Sequence, residues 1–209
     1  MALFLDRNDA AVKLSKKLLP YKGRSPLVVA IPRGAVPMGE IIAESLSGEL
    51  DIVLVRKIGA PNHSEFAIGA VDESGWTYIS GDPGISMAYI NQERLRQLSV
   101  IKNRRTLYTP FSQPIDPSGR IVIVADDGLA TGATMIAALH SLHERKPARL
   151  IVAIPVASGD ALEKVKSLAD EVVCLAVPWN FESVGQFYDE FPQVTDDDVC
   201  EIMRRARKN

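Results

Sequence analysis

Hydrophobic positions along the chain fall into short unbroken runs separated by stretches of helical spacing. The runs at 27–31, 52–55, 121–125 and 150–154 are rich in β-branched residues and do not alternate with polar ones. That is the pattern of strands buried on both faces. A fifth run, 172–177, follows a short helical stretch at 160–168, and residues 38–46 and 134–143 show apolar side chains at helical spacing. Strands alternating with helices predict an α/β fold: a doubly wound, mainly parallel five-stranded sheet with right-handed crossovers. Ligands on such sheets bind beyond the carboxyl ends of the strands, so chemistry is sought just after each run.

Two regions break the rhythm. Residues 59–86 are rich in Gly, Pro, Asn and Ser with a weak alternation at 76–79, a long excursion that reads as a hairpin or a binding loop. The helix predicted over 91–107 is dense in arginine, which suits a solvated face or a homodimer contact. Residues 178–193 are aromatic and irregular, and a last helix is predicted after Thr195, where three aspartates suit a helix N-terminus.

Composition narrows the classes of function. At 209 residues, 46% apolar and 24% charged, the chain has the makings of one well-buried α/β core. A net charge of -2 gives no electrostatic footing for nucleic acid. The apolar runs are too short to span a bilayer, and Asp6, Arg7 and Asp9 break any signal-peptide core, so no membrane partner is expected. Cys174 and Cys200 form neither a disulfide framework nor a metal pattern, and Cys174 reads as a small buried hydrophobe. A reducing cytoplasm is the expected location.

The most informative segment is Ile121-Val-Ile-Val-Ala-Asp-Asp-Gly-Leu-Ala-Thr-Gly-Ala-Thr134. A buried strand ends in two adjacent carboxylates, Asp126 and Asp127, and a small-residue turn then opens a helix. Gly128, Leu129, Ala130, Thr131, Gly132, Ala133 and Thr134 let backbone N–H groups converge beside a positive helix N-terminus, which makes a phosphate cradle. The two carboxylates would repel a phosphate but accept hydrogen bonds from sugar hydroxyls. A diol next to a terminal phosphate describes ribose 5-phosphate. The plainer alternative is an acidic cap followed by a glycine turn.

This segment resembles the signature of type I phosphoribosyltransferases, in which two acidic residues hold the ribose hydroxyls and the following loop binds the 5-phosphate. The order of strands and helices extends the resemblance over most of the chain, which is most similar to members whose acceptor is unassigned. It implies 5-phosphoribosyl-1-pyrophosphate (PRPP) as ligand, Mg2+ bound with it, and a nucleobase-like acceptor. It also implies a single domain, 1–209, with a flexible loop at about 58–86 and a hood at about 178–194. Leu129-Ala-Thr-Gly132 is closest to adenine phosphoribosyltransferases. Enzymes for 6-oxopurines carry aspartate where Ala130 stands, so the resemblance argues against hypoxanthine or guanine.

Other strand ends follow the same logic. Arg33 and Gly34, after the first run, match the loop that binds pyrophosphate in the family; a proline-bounded turn with a solvated arginine is the alternative. Arg56 and Lys57, after the second, resemble the pair that opens the flexible loop of orotate phosphoribosyltransferases, with surface salt-bridging as the alternative. Strand alternation favours Lys57 as the group that neutralises departing pyrophosphate. Glu65, with His63 behind it, is a candidate acid or base by its place in the loop, an exposed polar residue being the plainer reading. Trp179 and Phe181 are candidate base stackers, or else part of an apolar plug under the last helix. His140 and His143 read as packing or surface residues. Asp126, Asp127, Lys57 and Glu65 are thus the candidate catalytic residues. Two rivals to transfer stay open: a PRPP-sensing regulator on the same fold, and hydrolysis or phosphorolysis of a phosphoribosyl ligand.

Overall fold

The computed structural model describes residues 2–61, 63–80, 84–110 and 113–207, the side chains of Ser64 and Glu65 excepted. The chain runs α1 (Arg7–Leu18), β1 (Leu27–Ala30), α2 (Val36–Leu46), β2 (Glu49–Ile52), β3 (Val55–Ala60), β4 (His63–Asp72) and β5 (Thr77–Ile79). It continues through α3 (Met87–Tyr108), β6 (Ile121–Ala125), α4 (Ala133–His143), β7 (Arg149–Val156), α5 (Gly159–Lys166), β8 (Glu171–Ala176) and α6 (Asp196–Ala206). Five strands form one sheet in the order β2-β1-β6-β7-β8, and every pairing in it is parallel.

Strand alternation builds two cores, one on each face. Val28, Ala30, Ile123, Ala125, Ile151 and Ala153 point toward α1, α2 and α6. Leu27, Val29, Val122, Val124, Leu150 and Val152 point the other way, toward α4 and α5. Side chains of successive strand residues face opposite sides, so only strands apolar at every position serve both cores. The chain leaves β1 for β2 on one side and returns to β6 on the other. The topological switch point therefore lies between β1 and β6, whose ends meet in register at Ala30 and Ala125.

Two expectations are corrected, and two stretches that the pattern left open take regular structure. The run at 52–55 is not one strand: β2 ends at Ile52 and β3 starts at Val55, in a different sheet. The apolar run passes through the corner because Val53 and Leu54 are both buried, each in a different core. Helix α1 was not legible from the pattern, although Asp6 caps it through a bond from the Asp9 N–H (2.8 Å). The excursion after residue 59 carries regular structure, β3, β4 and β5 forming a three-stranded antiparallel sheet. The weak alternation at 76–79 becomes β5. Cys174 is half-buried, because β8 is an edge strand and is partly exposed along its whole length. No helix among the described residues is long and apolar enough to cross a membrane.

Candidate functional site

At the switch point the loops after β1 and β6 enclose a cavity of about 380 Å³. Its walls are Pro32, Arg33 and Gly34 from one loop and residues 126–134 from the other, closed by Lys57, Ala67 and Val184. The second loop is stitched to the end of β7, with the Leu129 N–H on Val156 O and the Ser158 N–H on Leu129 O, both 2.9 Å. Gly132 has φ +78°, the left-handed conformation from which α4 opens. Among the described residues, the N–H groups of Ala130, Thr131 and Gly132 donate to no protein acceptor. Donors at a helix N-terminus, lining a cavity, form an anion site.

Asp126 and Asp127 both face this cavity and differ in their partners. The Asp126 carboxylate accepts one bond, from the Asp127 N–H (2.9 Å). Burial pushes its carboxyl well above the usual range, and the neighbouring Asp127 charge pushes the same way. Asp127 is held by Arg7 of α1, whose Nε and Nη2 each lie 3.0 Å from Oδ2. Burial raises its pKa as well, against the opposing pull of the guanidinium. Tyr188 donates its hydroxyl to the Asp127 carbonyl at 2.7 Å. Gly34 sits against this group so closely that a Cβ there would lie 2.0 Å from Asp127 Oδ2. Gly128 is crowded in the same way, by Val184 Cγ1 at 2.7 Å from such a Cβ.

The cations separate by strand face. Lys57 lines the cavity, whereas Arg56 points to the other side of β3 and donates to Gln97 Oε1 at 3.0 Å. Burial lowers the Arg56 pKa, and the charges of Arg104, Arg33 and Arg96 lower it further. Arg33 follows a cis peptide bond from Pro32, and its Nη1 lies 3.4 Å from Asp196 Oδ2 at the start of α6. Asp196 also receives Arg104 Nε at 3.4 Å and the Tyr108 hydroxyl. Arg33, Arg56 and Arg104 thus surround a single carboxylate beside the Pro32–Gly34 loop.

A second cavity, about 790 Å³, adjoins the first and shares Ala67, Ala130 and Thr131 with it. Phe66, Ile68 and Phe181 give it an apolar wall, and Lys164, Asp160 and Glu182 add charge. Phe181 also packs on Phe187, ring centroids 5.3 Å apart. Trp179 lines neither cavity and is 96% exposed. His63 is exposed on β4, and the Glu65 side chain lies outside the described residues. His140 stacks on Trp76 at 3.7 Å, away from both cavities, and His143 is exposed. Sequence reading missed Arg7, Tyr188, Arg104 and Asp196, because each reaches the site across a long stretch of chain and belongs to no local motif.

The phosphoribosyl transferase domain family matches residues 2–190 of the chain. The chain belongs to this family. A Mycobacterium tuberculosis relative named as a phosphoribosyl transferase is 35% identical over 213 residues, covering 100% of this chain and 48% of the relative. The chain therefore spans about half the length of the curated relatives it matches. The bifunctional protein PyrR of Chloroflexus aurantiacus is 31% identical over 132 residues, 62% of this chain and 69% of that protein. Among solved structures, TT1426 from Thermus thermophilus has a TM-score of 0.82 and 42% identity, covering 98% of this chain and 99% of that one. The family match thus takes in every strand and every helix but α6, the β1/β6 switch point included.

Proposed function

We propose that the chain transfers a 5-phosphoribosyl group from PRPP to a ring nitrogen of a nucleobase-like acceptor and releases pyrophosphate. One observation carries the reading: two carboxylates and an unsatisfied N–H cradle face the same cavity as Arg33, Gly34 and Lys57. The cradle takes the 5-phosphate, Asp126 and Asp127 take ribose hydroxyls, and the β1 loop with Lys57 takes the diphosphate. The C1–oxygen bond to diphosphate breaks as the C1–nitrogen bond forms, and the acceptor's ring proton leaves to solvent or a base. Residues 178–194 serve as the hood and 58–86 as the cover that keeps water from the reacting carbon. The adjoining cavity, with Phe181 on its wall, suits the acceptor, and Trp179 enters only if the hood rearranges.

No cluster of three or more His, Cys, Asp or Glu able to hold a metal occurs among the described residues. The cavity's own carboxylates, Asp126 and Asp127, are oxygen donors of the kind magnesium takes, and an ion bound with PRPP would be held beside them. Such an ion offsets negative charge on the leaving diphosphate. The chain's own part is positioning and fixed charge, without a covalent nucleophile.

The deciding experiment is pyrophosphate release from PRPP with magnesium and a panel of adenine, guanine, hypoxanthine, xanthine, uracil and orotate. Release that depends on one base, and falls about a hundredfold or more in Asp127→Ala, supports the transferase. Saturable PRPP binding without base-dependent release overturns it in favour of a sensor, and release without any base favours hydrolysis.

A further inference from the structure

Arg7 opens α1, is 9% exposed, and spends its whole guanidinium on the candidate site. Nε and Nη2 both engage Asp127 Oδ2, and Nη1 donates to the Pro192 carbonyl at 2.6 Å. Its flat face lies 3.6 Å from the Phe191 ring centroid. A charge this deeply buried is kept only with partners close by, and here each of its three nitrogens has one, supplied by one cavity-facing carboxylate and one end of the hood.

The hood is fastened to the same point by other bonds. Tyr188 donates to the Asp127 carbonyl, and its ring packs on Phe191 (4.8 Å) and Phe4 (5.3 Å). The N–H groups of Leu3 and Phe4 bond Phe187 O, while those of Asp189 and Glu190 bond the carbonyls of Phe4 and Leu5. Asp127 is therefore held at both its side chain and its carbonyl by residues foreign to its own loop. Both guanidinium nitrogens use Oδ2, and no side chain among the described residues donates to Oδ1, which can accept from a ligand hydroxyl.

We infer that Arg7 is a positioning residue: it aims Asp127 at the ribose and ties that carboxylate to the hood over the acceptor cavity. The inference rests on the phosphoribosyl reading of the cradle. An arginine serves here because three separate demands must be met at once, two parallel bonds to one oxygen, one to a carbonyl, and a stacked face. A lysine ammonium meets only one of them at a time.

The test is titration calorimetry of ribose 5-phosphate and of inorganic phosphate with the wild-type chain, Arg7→Lys and Arg7→Met. Inorganic phosphate needs only the cradle, so its affinity should stay within about twofold in both variants. Ribose 5-phosphate should weaken about tenfold in Arg7→Lys and further in Arg7→Met. If Arg7→Met does not fold, Arg7→Lys decides alone, since it leaves a cation beside the buried carboxylate. Equal loss of both ligands marks a purely structural strut and overturns the inference. So does an unchanged preference for ribose 5-phosphate in both variants. A wild-type chain that binds ribose 5-phosphate no better than inorganic phosphate overturns the phosphoribosyl reading itself, and the inference with it.

Discussion

Gly34 is glycine because Asp127 stands where its side chain would begin. A Cβ there would meet Asp127 Oδ2 at 2.0 Å and Arg7 Nε at 3.3 Å. Both groups are held where they are, since they are bonded to each other and Arg7 is buried. Gly34→Ala should displace the carboxylate, cost about 1–3 kcal/mol of stability by overpacking, and weaken ribose 5-phosphate by about tenfold. Paired thermal melts and calorimetry would check it; unchanged binding would count against Asp127 as a ribose ligand. Asp126 makes a separate prediction through its raised pKa. The folded state keeps its proton at pH values where the unfolded chain, near 3.8, has lost it. Stability is therefore fullest below that value and is lost as pH rises through the folded pKa. Asp126→Asn removes the buried charge while its amide oxygen still accepts from the Asp127 N–H. The variant should melt about as the wild type does near pH 4 and higher at neutral pH, while turnover drops about a hundredfold. A melting difference that does not grow with pH would refute the assignment.

At the scale of elements, legibility tracked how much of each signal was local. Strands β1, β6 and β7 were visible because burial on both faces demands apolar residues at every position. Strand β8 showed as an apolar run although it is a half-exposed edge, and β2 (Glu49–Ile52) was read too late, at 52–55. The cradle was visible because its carboxylates, small residues and helix start are consecutive. Helix α1 was hidden because its buried face includes Ala10, Ala11, Ser15 and Arg7 alongside only two leucines. The β2/β3 corner was hidden because Val53 and Leu54 stay buried while the chain changes sheets. The Arg7–Asp127 pair, 120 positions apart, has no local trace at all. Helix α1 still announces its start with Asp6, whose side chain takes the Asp9 N–H. Asp6→Ala should cost about 1 kcal/mol, seen as a lower denaturation midpoint with an unchanged slope. Because α1 carries Arg7 in its first turn, ribose 5-phosphate binding should weaken along with stability. A stability loss with binding intact would place Arg7's orientation in its Pro192 and Phe191 contacts instead of in the helix.

Over the whole molecule, a net charge of -2 conceals a strongly cationic corner. Arg33 comes from the loop after β1, Arg56 from β3 and Arg104 from α3, and the charge that Arg33 and Arg104 share is Asp196 of α6. Three elements far apart in sequence thus bring cations to one carboxylate of a fourth, which also accepts from Tyr108. Asp196→Asn preserves an acceptor for Tyr108 and leaves Asp197 and Asp198 in the first turn of α6, so the change is chiefly one of charge. Without that charge the three guanidinium groups repel one another across a partly buried space. The variant should melt lower than the wild type in dilute buffer, and the gap should close as salt approaches roughly 0.5 M, where screening lengths fall to a few ångströms. On the proposed function the Pro32–Gly34 loop takes the diphosphate, so pyrophosphate would supply the missing negative charge there, and a ligand that binds only the folded state raises its stability. Added pyrophosphate should therefore raise the melting temperature of the variant more than that of the wild type. Thermal melts over a salt series and a pyrophosphate series read both effects. Parallel salt dependences would show that the cluster is balanced by other acids. A salt effect without a pyrophosphate effect would keep the repulsion but move the diphosphate away from this corner, toward Lys57 alone.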